Sequence, residues 1–242
     1  MADEARLDDP AWVRAQYADE SALEVRQAVY AAGEDGSPFD VAFAALAEVS
    51  PRRVLEVGGG QGTFAERLQR ELGCAVLGVD LSARMVELQR SRGLTAQVAD
   101  VHELPFADGE FDAAVANYML YHVGDLDRAL AQLARVLRPG GRLVATTNAV
   151  SHLQELWALV GRDRRSEGTF NDENGAAWLQ RHFARVERRH AGGWTTFADE
   201  EAVRRYIGSS GRWTAELERL PSFETPLRAR VASAVFLADT AR

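Results

Sequence analysis

None of the 242 residues is lysine, so all 28 basic residues are arginine. Without a lysine amine there is no Schiff base, which excludes covalent pyridoxal chemistry and lysine-based aldol chemistry. A Walker phosphate loop, which requires Gly-Lys-Ser/Thr, is excluded with it. The single cysteine, Cys74, rules out an internal disulfide and fits a reducing cytoplasm. It lies beside a predicted strand and reads as a small buried hydrophobe. The five histidines have no cysteine companions and no His-x-x-x-His spacing, so no metal site is expected. No apolar run approaches the roughly 20 residues of a membrane helix. The first residues, MADEARLDDPAW, are acidic and lack the basic and apolar layout of a signal peptide, so a cytoplasmic chain with no membrane partner is expected. Positive charge is scarce overall. A net charge of −8 argues against general nucleic-acid binding, which relies on a basic surface.

What is present is an apolar content of 46%, enough for one α/β domain with an elaboration. Trp12, Tyr17, Leu23, Val25 and Tyr30 lie among charged residues and suggest one or two amphipathic helices before a loop at Gly33–Pro38. Phe39–Val49 reads as a helix. Five apolar strands follow, at Arg53–Val57, Ala75–Asp80, Thr95–Asp100, Phe111–Asn117 and Arg142–Thr147. Helical stretches separate most of them, among them Arg84–Arg92, with Ser82 as its cap, and Asp125–Leu137. This alternation predicts a doubly wound parallel sheet. Beyond Asn148 the pattern changes. Ser151–Gly161, Asp172–His182, Asp199–Ile207 and Pro226–Leu237 read as helices. Val186–His190 and Trp194–Phe197, around Gly192-Gly193, read as a β-hairpin.

The most informative stretch is RVLEVGGGQG, residues 53–62. A buried strand breaks into glycines and feeds a helix. Glycine is needed where φ is positive or where a ligand must approach the backbone. The spacing Glu56-x-Gly58-x-Gly60-x-Gly62 places Thr63 where a dinucleotide fingerprint wants its last glycine. Ligands of open parallel sheets bind outside the carboxyl ends of the strands. Glu56, Asp80, Asp100 and Asn117 fall at or near such ends. Asp80 lies 22 residues beyond Gly58, a distance that suits a carboxylate reaching a ribose diol.

VLEVGGGQG, VLGVDLS, VADVHELPFADGEFD, NYMLYHVGD and LRPGGRLVATT resemble successive blocks of the class I S-adenosylmethionine-dependent methyltransferases, nearest to the type 11 small-molecule group. The resemblance covers about residues 53–147. It implies a Rossmann-like, mostly parallel sheet with helices on both faces. It also implies S-adenosyl-L-methionine as methyl donor and S-adenosyl-L-homocysteine as product. The Glu56–Gly62 loop, with Gly58, Gly60 and Gly62, would wrap the methionine and ribose. Asp80 would bind the ribose hydroxyls, with Leu81 against the adenine. Asp100 would meet the adenine amino group, with Val101 on the ring, and Asn117 would hold the methionine amino end. At Gly59 many relatives carry Cys or Ala, so that position is expected to tolerate small residues. Helices ahead of the motif commonly form a lid in this family. That gives a helical lid segment at 1–35, a core at 36–150, and a helical cap and sheet edge at 151–242. The family sheet usually ends in an antiparallel hairpin. Here either Trp194–Phe197 supplies its last strand or the sheet is one strand short.

Methyl transfer from a sulfonium needs alignment, exclusion of water and a place for one proton. His122, just past the fourth strand, is the candidate catalytic base, since the family equivalent is often a His near the cofactor. Tyr17 is the candidate lid residue, closing over cofactor or substrate. Tyr118 and Tyr121 either shape the pocket or are core aromatics. His102 reads as a loop residue, and His152, His182 and His190 as structural or exposed. Trp157, Phe170, Trp178, Trp194 and Trp213 match an aromatic-lined cap. Arg162–Arg165 reads as a solvated loop. The acceptor is a small molecule whose methylated atom, O, N or C, the sequence leaves open. A nicotinamide-dependent oxidoreductase and a non-catalytic S-adenosylmethionine-binding partner are the alternatives.

Overall fold

The computed structural model describes residues 21–30, 36–161, 169–209 and 213–242. Tyr17 and the charged loop at 162–168 lie outside the described residues. The strand before the glycines, β1 (Arg53–Val57), is buried along its last four residues. A continuous apolar run of this kind belongs to a strand covered on both faces. It pairs in parallel with β2 (Ala75–Asp80) on one side and β4 (Phe111–Asn117) on the other. β3 (Thr95–Val98) lies beyond β2, and β5 (Leu137–Asn148) beyond β4, both parallel. Two long antiparallel strands, β6 (Arg185–Phe197) and β7 (Leu227–Asp239), complete seven strands in the order β3-β2-β1-β4-β5-β7-β6.

Helices cover both faces. Leu55, Ala114, Leu143 and Phe236 pack on one side with Leu130 and Leu133 of α5 (Leu126–Val136). Val54, Val115, Val144 and Val235 pack on the other with Leu46 of α2 (Pro38–Ala47) and Leu68 of α3 (Thr63–Leu72). Local chemistry sets the starts. Ser37 Oγ accepts from Phe39 N at 3.3 Å ahead of Pro38 in α2. Ser82 Oγ accepts from Met85 N at 3.3 Å to open α4 (Ala83–Ser91), as expected of its cap. Asp125 Oδ1 accepts from Arg128 N at 3.0 Å to open α5.

A third apolar cluster sits past the carboxyl ends of the parallel strands. It joins α1 (Ser21–Ala28) and the following Val29-Tyr30 to α6 (Gln154–Leu159), α8 (Glu200–Gly208) and Trp213, the residue just before α9 (Thr214–Glu218). The intervening α7 (Gly175–Leu179) is shorter than the helix expected at Asp172–His182. Asn171 Oδ1 accepts from Glu173 N and Asn174 N and holds the chain in a turn there.

Two expectations about the last third fail. Pro226–Leu237 is a strand, not a helix. Arg228 and Arg230 are exposed while Ala229 and Val231 are buried, which is a period of two. From Ala234 to Ala238 the chain is covered on both sides by β5 and β6, and pairing overrides propensity. The second failure is the hairpin at 186–197, which is a single strand. Gly192 and Gly193 lie within its ladder, opposite Ala232 and Val231. A Cβ on Gly192 would stand 2.0 Å from Val231 O, and its φ is 146°. Glycine is there for close backbone approach, not for a turn. The sheet therefore has its full antiparallel edge: Trp194–Phe197 lies in the outermost strand, β6, and the sheet is not one strand short.

Gly192→Ala is expected to destabilise the fold by about 2–3 kcal/mol through overpacking. Thermal unfolding measures this, with a fall in Tm of roughly 4–10 °C.

Candidate functional site

The strand order runs outward in opposite directions from β1 and β4, so the crevice between their carboxyl ends is the switch point where open α/β sheets bind ligands. The residues around it are those the glycine motif pointed to. Gly58, Gly60 and Gly62 have φ of 65°, 54° and 81°, which only glycine adopts without cost. Gly58 N donates to Val79 O at 2.8 Å, tying the turn to β2. A Cβ on Gly58 would lie 2.8 Å from Met119 Cβ, so the loop passes directly against the segment after β4.

Glu56, next to last in β1, is buried. Helix α3 begins after Gly62, which has no side chain to cap it. The carboxylate of Glu56 takes the Ala65 N–H in its place. Its Oε2 is buried and has no hydrogen-bond partner among the described residues. Burial, reinforced by the charge of Asp80, pushes the Glu56 carboxyl up to about 8 against the Ala65 bond. Gly59 proves tighter than its expected tolerance of small residues. A Cβ there would stand 2.3 Å from Glu56 Oε2, because the loop folds over the carboxylate.

Asp80 closes β2. Its Oδ2 accepts from Gly60 N at 3.3 Å and its Oδ1 from Ser82 N at 2.9 Å. Burial raises it to about 6, against N–H groups of Ser82, Gly60 and Leu81 that favour the charge. Leu81 is half-buried beside it. Gln89 was not foreseen. It sits on the buried face of α4 with Met85 and Val86, and its Nε2 donates to Gly60 O at 2.9 Å. The Gly60 residue is thus held through its N–H by Asp80 and through its carbonyl by Gln89. The available signal was a glutamine four residues beyond Met85, on an otherwise apolar helix face.

Asn117 ends β4. Its Oδ1 accepts from Thr146 Oγ1 at 2.6 Å, and its buried Nδ2 has no partner among the described residues. His122 ends a single 3₁₀ turn (Leu120–His122), half-buried, with its N–H donating to Met119 O at 2.9 Å. Its ring packs 4.4 Å from that of Tyr121. Glu56, the glycines, Asp80 and Asn117 therefore share one rim, with His122 three residues beyond Met119.

Asp100 stands apart, exposed past β3. Its Oδ1 accepts from His102 N at 2.9 Å and lies 2.6 Å from His102 Nδ1. Burial opposes ionisation, but the His102 N–H and imidazole outweigh it and hold Asp100 below the usual carboxylate range. His102 Nε2 accepts from Asp125 N at 3.3 Å, so in this bonding pattern the ring proton sits on Nδ1 and points at Asp100. Val101 has its side chain in the core beneath. Among the described residues no group of three or more His, Cys, Asp or Glu side chains is placed to hold a metal ion. No described helix is long and apolar enough to cross a membrane.

Residues 55–145 match the family model of a methyltransferase domain. This stretch, from β1 into β5, is similar to methyltransferase domains. Relatives of this domain include a malonyl-[acyl-carrier protein] O-methyltransferase of Pseudescherichia vulneris. It is 39% identical over 126 residues, 50% of this chain and 50% of that protein. A demethylmenaquinone methyltransferase of Thermobifida fusca is 34% identical over 148 residues, 58% of this chain and 59% of its own. The match thus spans only about half of these relatives' length. The YcgJ protein of Bacillus subtilis superimposes over 84% of this chain and 99% of its own. The TM-score is 0.63 and the identity 16%, a likeness of fold.

The glycine-loop rim carries a pH signature. Glu56 and Asp80 both titrate above their ordinary values, so the folded form binds the extra protons. Their contribution is present below about pH 4 and is lost as pH rises to about 8. Urea midpoints at pH 5 and pH 8.5 are expected to fall with pH, and Glu56→Gln to flatten the difference. An unchanged slope in that variant would remove Glu56 as its source.

Proposed function

We propose that this protein transfers a methyl group from S-adenosyl-L-methionine to an O, N or C atom of a small molecule. The observation that carries this reading is a pair of orphaned polar atoms on one rim: a buried carboxylate oxygen on Glu56 and a buried amide donor on Asn117. A buried polar atom without a partner costs free energy; the carboxylate oxygen calls for a cationic donor and the amide N–H for an acceptor, so Asn117 would meet the carboxylate rather than the amino group first expected of it. The ammonium and carboxylate of an amino-acid end supply both. The chain's own residues fit that group. Glu56 and Asn117 would hold its amino-acid end, the left-handed glycines its middle, and Asp80 with Leu81 its ribose and adenine. Asp100 and Val101 would bound the base. When bound, S-adenosyl-L-methionine would supply an electrophilic methyl on a sulfonium. His122 would take the acceptor's proton on an imidazole nitrogen, and the glycine loop and Met119 would exclude water.

Helix α1 supports a covering role for the N-terminal segment. Gln61 Nε2 donates to Glu24 Oε1 at 3.3 Å, and Leu23 lies 3.1 Å from where a Gly60 Cβ would be. We take 1–35 and 150–182 as the lid, 36–150 as the binding core and 151–242 as cap and sheet edge. The acidic surface favours a small molecule over nucleic acid as partner, and the single cysteine favours the cytoplasm. Thr63, in place of the dinucleotide glycine, weighs against a nicotinamide enzyme.

Calorimetry with S-adenosyl-L-homocysteine tests the reading. Asp80→Ala is expected to weaken binding at least tenfold and Gly60→Arg to abolish it. Unchanged affinity in both would sink the assignment. At pH 7, binding should release about one proton in buffers of different ionisation enthalpy, and none in Glu56→Gln. The ammonium drives ionisation of a carboxyl that begins protonated. With an acceptor found by screening for S-adenosyl-L-homocysteine release, His122→Ala should lower turnover about 10²–10⁴-fold while leaving cofactor affinity within twofold. Normal turnover would remove His122 from the mechanism.

A further inference from the structure

On the β5 side of the rim lies a second buried polar cluster, with no charged side chain in the hydrogen bonds that define it. The Tyr30 ring, which follows α1, is its centre and is buried. It lies 4.7 Å from the Tyr118 ring and stacks at 5.4 Å on His152. Phe39 meets it edge-on at 6.2 Å. The Tyr30 hydroxyl donates to Asn148 Oδ1 at 2.7 Å, and the Tyr118 hydroxyl bonds Ser233 Oγ at 2.8 Å. Ala232 N–H donates to His152 Nδ1 at 3.2 Å, which fits a neutral imidazole. Burial pushes both phenols up, so both stay protonated.

Three features set this slot apart from ordinary core. It lies at the carboxyl ends of β4 and β5, where open sheets bind ligands. Tyr118, which bounds it, and Leu153, the residue after His152, have φ of 55° and 53°, a strain of about 1–3 kcal/mol each for a side chain other than glycine. It buries hydroxyls, an amide and an imidazole where phenylalanine and leucine would fill the space without polar cost. The group now seated in it is a flat ring with one hydroxyl, carried by the same segment that covers the glycine loop.

We propose that this slot is the seat for the ring of a neutral hydroxylated aromatic ligand, and that Tyr30 occupies it when the ligand is absent. Asn148 takes the ligand's hydroxyl, while Tyr118 and His152 hold the ring faces. A carboxylate or phosphate on the ring would meet no counter-charge in the bonds described. Placing this ligand on the acceptor side rests on the methyl-transfer reading; its binding does not.

The probe is p-cresol, the tyrosine side chain as a free molecule, titrated by calorimetry into the full chain with S-adenosyl-L-homocysteine present. It is expected to bind about fivefold or more tightly than toluene, the worth of one hydrogen bond near 1 kcal/mol, and more tightly than benzoate. Asn148→Leu should erase the preference over toluene. Tyr30→Phe, which keeps the ring and frees Asn148, should tighten p-cresol about fivefold. Amide hydrogen exchange in α1 should quicken when p-cresol binds, because Tyr30 leaves. No binding, equal affinity for toluene, or unchanged α1 protection would each overturn the slot. Binding of S-adenosyl-L-homocysteine without any p-cresol effect overturns the slot alone. Binding of p-cresol without S-adenosyl-L-homocysteine binding removes the methyl-transfer reading alone.

Discussion

The site depends on one buried carboxylate beneath a loop of glycines. Glu56 leaves β1 pointing under the turn instead of out into solvent, and there it does what Gly62 cannot. It satisfies the Ala65 N–H at the start of α3. A cap of this kind is worth about 1 kcal/mol, while a buried, unpaired carboxylate costs more than that. The carboxyl avoids part of the cost by holding a proton. The rest of the loop is shaped around it. Gly59 has no room for a side chain, and Asp80 and Gln89 grip Gly60 from β2 and α4. Three neighbouring elements thus converge on a turn of five residues.

The sheet order fixes where that seat faces. The crevice opens between β1 and β4 because the chain winds outward from them in both directions. The antiparallel edge then brings Ser233 of β7 alongside Asn148 of β5, so two hydroxyl- or amide-bearing residues meet past the parallel strands. At the opposite end Arg142 holds β5 to β7 and to α2. Its Nε donates to Asp239 Oδ1 at 2.7 Å and its Nη1 to Glu48 Oε2 at 2.9 Å. Arg189 of β6 joins the same Glu48. An ion network with little exposed arginine fastens the base of the edge, while its upper end extends past the parallel strands to form the floor of the third cluster.

The parallel core was legible because its signals are local. The strands are apolar runs with a polar residue at or near their carboxyl ends, and a capping Ser or Asp opens α2, α4 and α5. Glu56, Asp80 and Asn117 could be named because a strand end is visible in one dimension. Gln89 could not, since its role comes from α4 folding back over the loop. β7 was missed because Ala-Ser-Ala-Val has no strong preference of its own and becomes strand only between β5 and β6. The break in β6 was misread because Gly-Gly means a turn in isolation and close packing in a ladder. Tyr30, Asn148 and Ser233 are spread from position 30 to position 233 and share no pattern, so only the fold shows that they meet.

The two halves of the crevice differ in electrostatics, and that difference bears on what each can hold. The glycine side is acidic, with Glu56 and Asp80 both raised by burial and each made easier to ionise by a cation. The β5 side bonds through phenols, an amide, a serine and an imidazole that accepts from backbone. A cationic group therefore gains most on the first side and a neutral polar ring on the second. Helix α1 spans both, with Glu24 at Gln61 and the Tyr30 that follows it at Asn148. One short helix and the residue pair after it thus touch both halves of the crevice.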